Sequence, residues 1–137
     1  MDKTRFINQV AHRACCDVKR AEAITFVVFQ ELRERITAKE ALDVASQLPV
    51  KLRSLWLEGE RPGRAVHRTH ATEFIGDVRR VAVLPDDAEA ERAVKAVFAT
   101  LQDALGSPSG TQGEAWDVFS QLPKDLKILW LGAHRAE

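Results

Sequence analysis

Between Ala21 and Ile36 the apolar side chains fall at Ala21, Ile24, Val28, Phe29, Leu32 and Ile36, mostly in steps of three and four that draw one buried stripe along a helix. Ala90, Ala93, Val97, Phe98, Leu101 and Leu105 draw the same stripe later in the chain. Each stripe is followed by a second helical stretch that runs into the tetrapeptide SQLP, at 46–49 and again at 120–123. The proline restricts the leucine before it to an extended conformation while fitting the first turn of a new helix itself, so one helix stops at each SQLP and another begins. In the new helices Leu52, Leu55 and Trp56 share a face, as do Leu126, Leu129 and Trp130. Thr37 with Glu40, and Asp86 with Glu89, have the spacing of a capping box and mark helix starts.

Laying one half on the other matches three blocks in the same order. "RFINQVAHRA" pairs with "EFIGDVRRVA", "AEAITFVVFQEL" with "AERAVKAVFATL", and "EALDVASQLPVKLRSLWL" with "EAWDVFSQLPKDLKILWL". The offset grows from 68 to 69 to 74, and "GSPSGTQG" at Gly106–Gly113 accounts for the last step as a loop insertion. The chain thus reads as all-α, a tandem duplication of a four-helix unit of about 60 residues. The units span 1–58 and 71–132, with a linker at 59–70 and a tail at 133–137. Each unit has an apolar face too large to leave in water, so the expected architecture is one compact domain with the units packed about a pseudo-twofold axis. A two-unit solenoid is the alternative. The linker, with its Pro-Gly turn and no apolar stripe, is expected to be solvated and flexible.

Composition narrows the classes. An apolar fraction of 45% with 29% charged residues is that of an ordinary globular protein, and no apolar run nears the roughly 20 residues of a membrane span. The amino terminus carries no export pattern, and the adjacent Cys15 and Cys16 are poorly placed for a disulfide, so a cytoplasmic location with free thiols is expected. Net charge is zero, which argues against a protein that lives on nucleic acid or an anionic membrane.

Candidate chemistry is sparse. His12, Cys15 and Cys16 are near enough on a helix to form a thiol or metal site, for which His67 and His70 would have to fold back. Val83 and Leu84 stand at the matching places, which favours the cysteines as small hydrophobes at a helix end. No phosphate loop, nucleophile elbow or metalloprotease helix occurs, so neither an enzyme nor a cofactor is expected. The SQLP corner superficially resembles a helix-turn-helix, but its second helix offers only Lys51 and Arg53, and Asp125 in the other copy would repel phosphate. Trp56 and Trp130 hold matching places and read as core. Trp116 matches Leu42, and is either additional core or a contact residue.

The helix opening with "FINQVAHRA", then "AEAITFVVFQELRERI", then "EALDVASQLPVKLRSLWLEG", and all of it again from about Thr4 to Leu131, resembles the bacterial family known as domain of unknown function 2267. The resemblance implies an all-helical protein, usually of two units, and brings no activity, cofactor or functional residue. The leading expectation is a non-catalytic protein-protein interaction or regulatory module, or a self-associating one, whose contacts involve Trp116, Phe119 and Leu57. A nucleic-acid binder using Arg61, Arg64, Arg68, Arg79 and Arg80 is one alternative, and the thiol or metal site is the other.

Overall fold

A computed structural model describes residues 1–135. Its described residues form eight helices and no strand: α1 (Lys3–Ala14), α2 (Val18–Glu34), α3 (Ala38–Ser46), α4 (Val50–Leu57), α5 (Ala71–Val81), α6 (Asp87–Ala104), α7 (Gly113–Gln121) and α8 (Lys124–Leu131). Asp2, Asp17, Thr37 and Asp86 each offer a side-chain oxygen to the amide three residues on, satisfying a helix-end donor. The reciprocal half of the box expected at Thr37 does not form. Gln121 Oε1 accepts from the Thr37 amide at 2.8 Å instead, and Glu40 is buried between α3 and α7. Pro49 and Pro123 stand at the N-caps of α4 and α8, one place earlier than the first turn.

The long helices α2 and α6 carry the stripes and meet each other at the centre. α1 lies on α2 and also on α6, while α5 lies on α6 and also on α2, so each half covers the other's apolar face reciprocally. α3 and α7 touch as well, and one continuous core draws on both halves. A solenoid arrangement is therefore overturned. The accessible surface, 7074 Å², agrees with the about 7,100 Å² of a single globule of this mass rather than the about 8,600 Å² of two separate ones.

Aromatic rings hold each half's helices in the same order. Phe6 of α1 meets Phe29 of α2 at 5.5 Å between centroids, and Phe29 meets Trp56 of α4 at 5.1 Å. In the other half Phe74 meets Phe98 at 5.8 Å, and Phe98 meets Trp130 at 5.1 Å. These tilted and edge-on pairings add to simple burial. The helix ends after α1 and α5 also agree: Cys15 and Val83 both adopt the left-handed conformation, with φ of 56° and 55°. In each case the following amide bonds back to a carbonyl five residues earlier, Ala11 or Arg79, as a Schellman cap does.

The linker is not a solvated tether. Arg64 reaches back to the Ile36 carbonyl at 2.9 Å and pairs with Glu60, leaving its side chain only 2% exposed. His67 donates its amide to the Glu34 carbonyl, and Thr69 accepts from Arg35. Arg35 is itself buried, held by Glu31 at 2.8 Å and lying over the Phe74 ring, so it ties α2 to α5. Arg33, also buried, donates to the Glu58 carbonyl. Buried guanidinium groups need such partners. Thr69 of the linker supplies one to Arg35, and Glu60 lies 3.6 Å from Arg33, whose Nε and Nη1 have no hydrogen-bond partner among the described residues.

The inserted "GSPSGTQG" has a packing role too. Trp56 donates its indole N–H to the Ala41 carbonyl, whereas Trp130 donates to Gly110 in the insertion, each at 2.8 Å. Gly110 has φ +74°, and a Cβ there would come within 2.7 Å of Trp130 Nε1 and of Gln102 Cδ. Trp56→Ala and Trp130→Ala are each expected to lower the unfolding free energy by about 3–5 kcal/mol in urea titration. Gly110→Ala should cost clearly more than Gly63→Ala, whose backbone is also left-handed but whose surroundings are open.

Candidate interaction surface

Between Glu114 and Gln121 α7 differs from its counterpart in the first half at two matched positions, Trp116 for Leu42 and Phe119 for Ala45. Ala45 is buried against the core, and a ring at that place is too large to sink as far, so Phe119 stays half-buried. Trp116, one turn earlier, is 48% exposed, which overturns the reading of this tryptophan as core. The two rings lie 5.2 Å apart, and Lys127 of α8 sits over Phe119 at 5.4 Å from the ring centre. Leu131, one turn beyond Lys127 on the same face of α8, is also exposed and extends the apolar surface. In the other half the residue matching Lys127 is Arg53, which instead donates to the Ala45 and Leu48 carbonyls at the SQLP corner. Small changes at matched places thus turn a closed corner into an aromatic patch.

Beside this patch lies a group of carboxyls. Glu40 and Glu114 occupy matched positions, and the packing of α3 against α7 brings them face to face with Asp43. One oxygen from each of the three lies within 4.8 Å of the others. Burial raises the Glu40 carboxyl, and the hydrogen bond to Glu114, with the negative charges of Glu114, Asp117 and Asp43, raises it further, to about 9. Glu40 therefore carries a proton at neutral pH and donates it towards Glu114. A proton on Glu40 removes the repulsion between the two carboxyls where α3 meets α7. Sequence reading placed Glu40 in a capping box and missed this pair. Part of the signal was present, because Glu40 and Glu114 stand at matched places of the two aligned blocks.

The other candidate residues are dispersed. Leu57 is half-buried against the core at the end of α4, whose main neighbours are α2 and α3, and it is not part of the α7–α8 surface. His12, Cys15 and Cys16 do not converge as metal ligands, since Glu40, Asp43 and Glu114 form the one such group among the described residues. Cys15 caps α1 and is exposed; Cys16 is half-buried, and burial with the nearby Asp17 charge raises its thiol above the usual range. His67 and His70 do not fold back towards them: the His67 amide is bonded to Glu34 and the His70 ring faces Asp125 at 3.3 Å. The five arginines of the nucleic-acid reading are largely spent within the molecule. Arg61 pairs with Glu34, Arg64 with Glu60, Arg79 with Asp87 and Arg80 with Asp77, leaving Arg68. Asp125, read as a repellent of phosphate, accepts from the first amide of α5 at 2.8 Å. No described helix is long and apolar enough to cross a membrane.

A family model described as "Uncharacterized conserved protein (DUF2267)" matches residues 3–129. No curated protein matches the chain.

The raised Glu40 carboxyl makes stability depend on pH. Folded Glu40 keeps its proton up to about pH 9, while in the unfolded chain it loses it near 4.5, so this contribution is complete below pH 4.5 and declines as pH rises between those values. Glu40→Gln, which keeps the donor without the titration, should melt higher than the parent at pH 8. The gap should close at pH 4.5, as thermal unfolding in matched buffers would register.

Proposed function

The chain belongs to that family of uncharacterised conserved proteins, and from this premise we propose that it is a non-catalytic interaction module that binds another protein through the α7–α8 face. The observation that carries the reading is the exposure of Trp116. Trp56 and Trp130 are fully buried, whereas Trp116 stands nearly half in water, stacked on Phe119 and continued by Leu131. An aromatic held in a fixed geometry loses little conformational freedom on binding, which is why such residues dominate protein interfaces.

The surroundings favour one kind of partner. Glu114 and Asp117 lie within a turn of Trp116, and Asp43 joins Glu114 from α3. A segment presenting an apolar side chain flanked by Lys or Arg would bury the indole and place its cations near these carboxylates. A cation over the exposed indole face would add to the attraction.

Trp116→Glu tests the assignment, because it reverses the character of the patch while leaving the core untouched. Wild-type protein and the variant, matched in thermal unfolding, are used to capture partners from the native host, with mass by light scattering in parallel. The expected result is a stoichiometric partner bearing a basic, apolar segment, held by the wild type and lost with the variant. Recovery of the same partners by both proteins would overturn the reading. A wild-type dimer dissolved by the variant would replace the foreign partner with a second copy.

A further inference from the structure

A second surface, sharing no residue with the α7–α8 face, has a different chemistry. The end of α1, the exposed side of α6 and the segment after α8 enclose a cleft of about 420 Å³. Its walls are His12, Arg13, Cys15, Arg92, Lys95 and the segment Ala133–Arg135, and Ala96 and Ala133 are its buried small residues. Among the described residues four cations and two imidazoles thus line it, with no carboxylate. This is in a chain whose net charge is zero.

Part of that lining is built. Arg13 is held by Thr100 Oγ1 at 2.8 Å and by Asp103 at 2.9 Å, and the other Asp103 oxygen lies 3.0 Å from the His134 ring. Asp103 therefore fixes an arginine and an imidazole from two separate elements at the rim. Lys95 is partnered by Glu91 at 3.2 Å. Arg92 and Arg135 have no ion-pair partner among the described residues. Helix-end electrostatics accounts for His12 and Arg13, which stand in the last turn of α1 where positive charge is favoured. It does not account for Arg92 in the body of α6, nor for Arg135 beyond α8.

The fold does not impose these residues either. At the matched places of the other half Arg92 is replaced by Ala23, Lys95 by Phe26, Ala96 by Val27 and Cys15 by Val83. Arg80 and Arg61 keep a cation at the places of His12 and Arg135, but α2 carries no counterpart of Arg92 and Lys95, so the cations on the long helix are particular to this side. Cations crowded around a cleft repel one another, and an anion between them removes that cost while gaining charge-assisted hydrogen bonds. The volume is that of a small-molecule pocket rather than of a groove that tracks a polymer.

We propose that this cleft binds a small, soluble, multiply charged anion of the phosphate class, held chiefly by Arg13, Arg92, Lys95 and Arg135. The test uses inorganic pyrophosphate as the probe on the full chain. Binding is followed by calorimetry, and the accessibility of Cys15 by its rate of alkylation with iodoacetamide, read by peptide mass. Saturable binding of one pyrophosphate per chain is expected, with Cys15 alkylation slowed at saturation. Arg92→Glu with Arg135→Glu should weaken binding at least tenfold without lowering the melting temperature. Lys51→Glu with Lys124→Glu, an equal change of charge outside the cleft, should leave binding unchanged. Absence of saturable binding, equal weakening in both double variants, or unaltered Cys15 alkylation would each overturn the proposal. Co-sedimentation with phosphatidylglycerol vesicles that pyrophosphate does not displace would also overturn it, by assigning the cations to a lipid surface.

Discussion

Neither half of this protein can cover its own apolar surface. α1 completes its burial on α6, and α5 completes its burial on α2, so the two long helices are each sandwiched by a short helix from either half. Everything else is arranged around that reciprocal cover. The aromatic series Phe6–Phe29–Trp56 and Phe74–Phe98–Trp130 tie the peripheral helices to the sandwich, and the linker is held close to α2 by Thr69 on Arg35, Glu60 beside Arg33 and its own Arg64 on the Ile36 carbonyl.

The architecture was largely legible in the sequence because it depends on period and volume. Apolar steps of three and four located α2 and α6, and the SQLP corners located the breaks between α3 and α4 and between α7 and α8. The order of the linker was not legible. Arginines and glutamates between two apolar blocks read as a solvated tether, and only the geometry shows that Arg64 closes on Ile36 and Glu60. Trp116 was ambiguous for a related reason: an aromatic on an amphipathic helix reads as core unless the width of the buried stripe is known. The proton shared by Glu40 and Glu114 required knowing which helices face one another across the molecule.

The two proposed surfaces lie where the halves depart from each other. Where they agree, at Trp56 and Trp130 or at the left-handed Cys15 and Val83, the residues serve the framework. Where they differ, chemistry is exposed: Phe119 stands in place of Ala45 beside the exposed Trp116, and Lys95 stands in place of Phe26 in the wall of the basic cleft. Two halves with the same order of helices permit this because one side can differ at its surface while the core, built from both, retains its volume.

The reciprocal cover also governs how the chain acquires its structure during synthesis. Residues 1–58 leave the ribosome carrying the α1 and α2 surfaces that α6 and α5 will occupy, and those helices end at Ala104 and Val81. At about 5–20 residues per second, α1 waits some seconds for its cover after its own translation is complete. The nascent first half is therefore a transient amphipathic species, and the interval before α6 emerges is when a chaperone, or the first half of a neighbouring nascent chain, has access to its core.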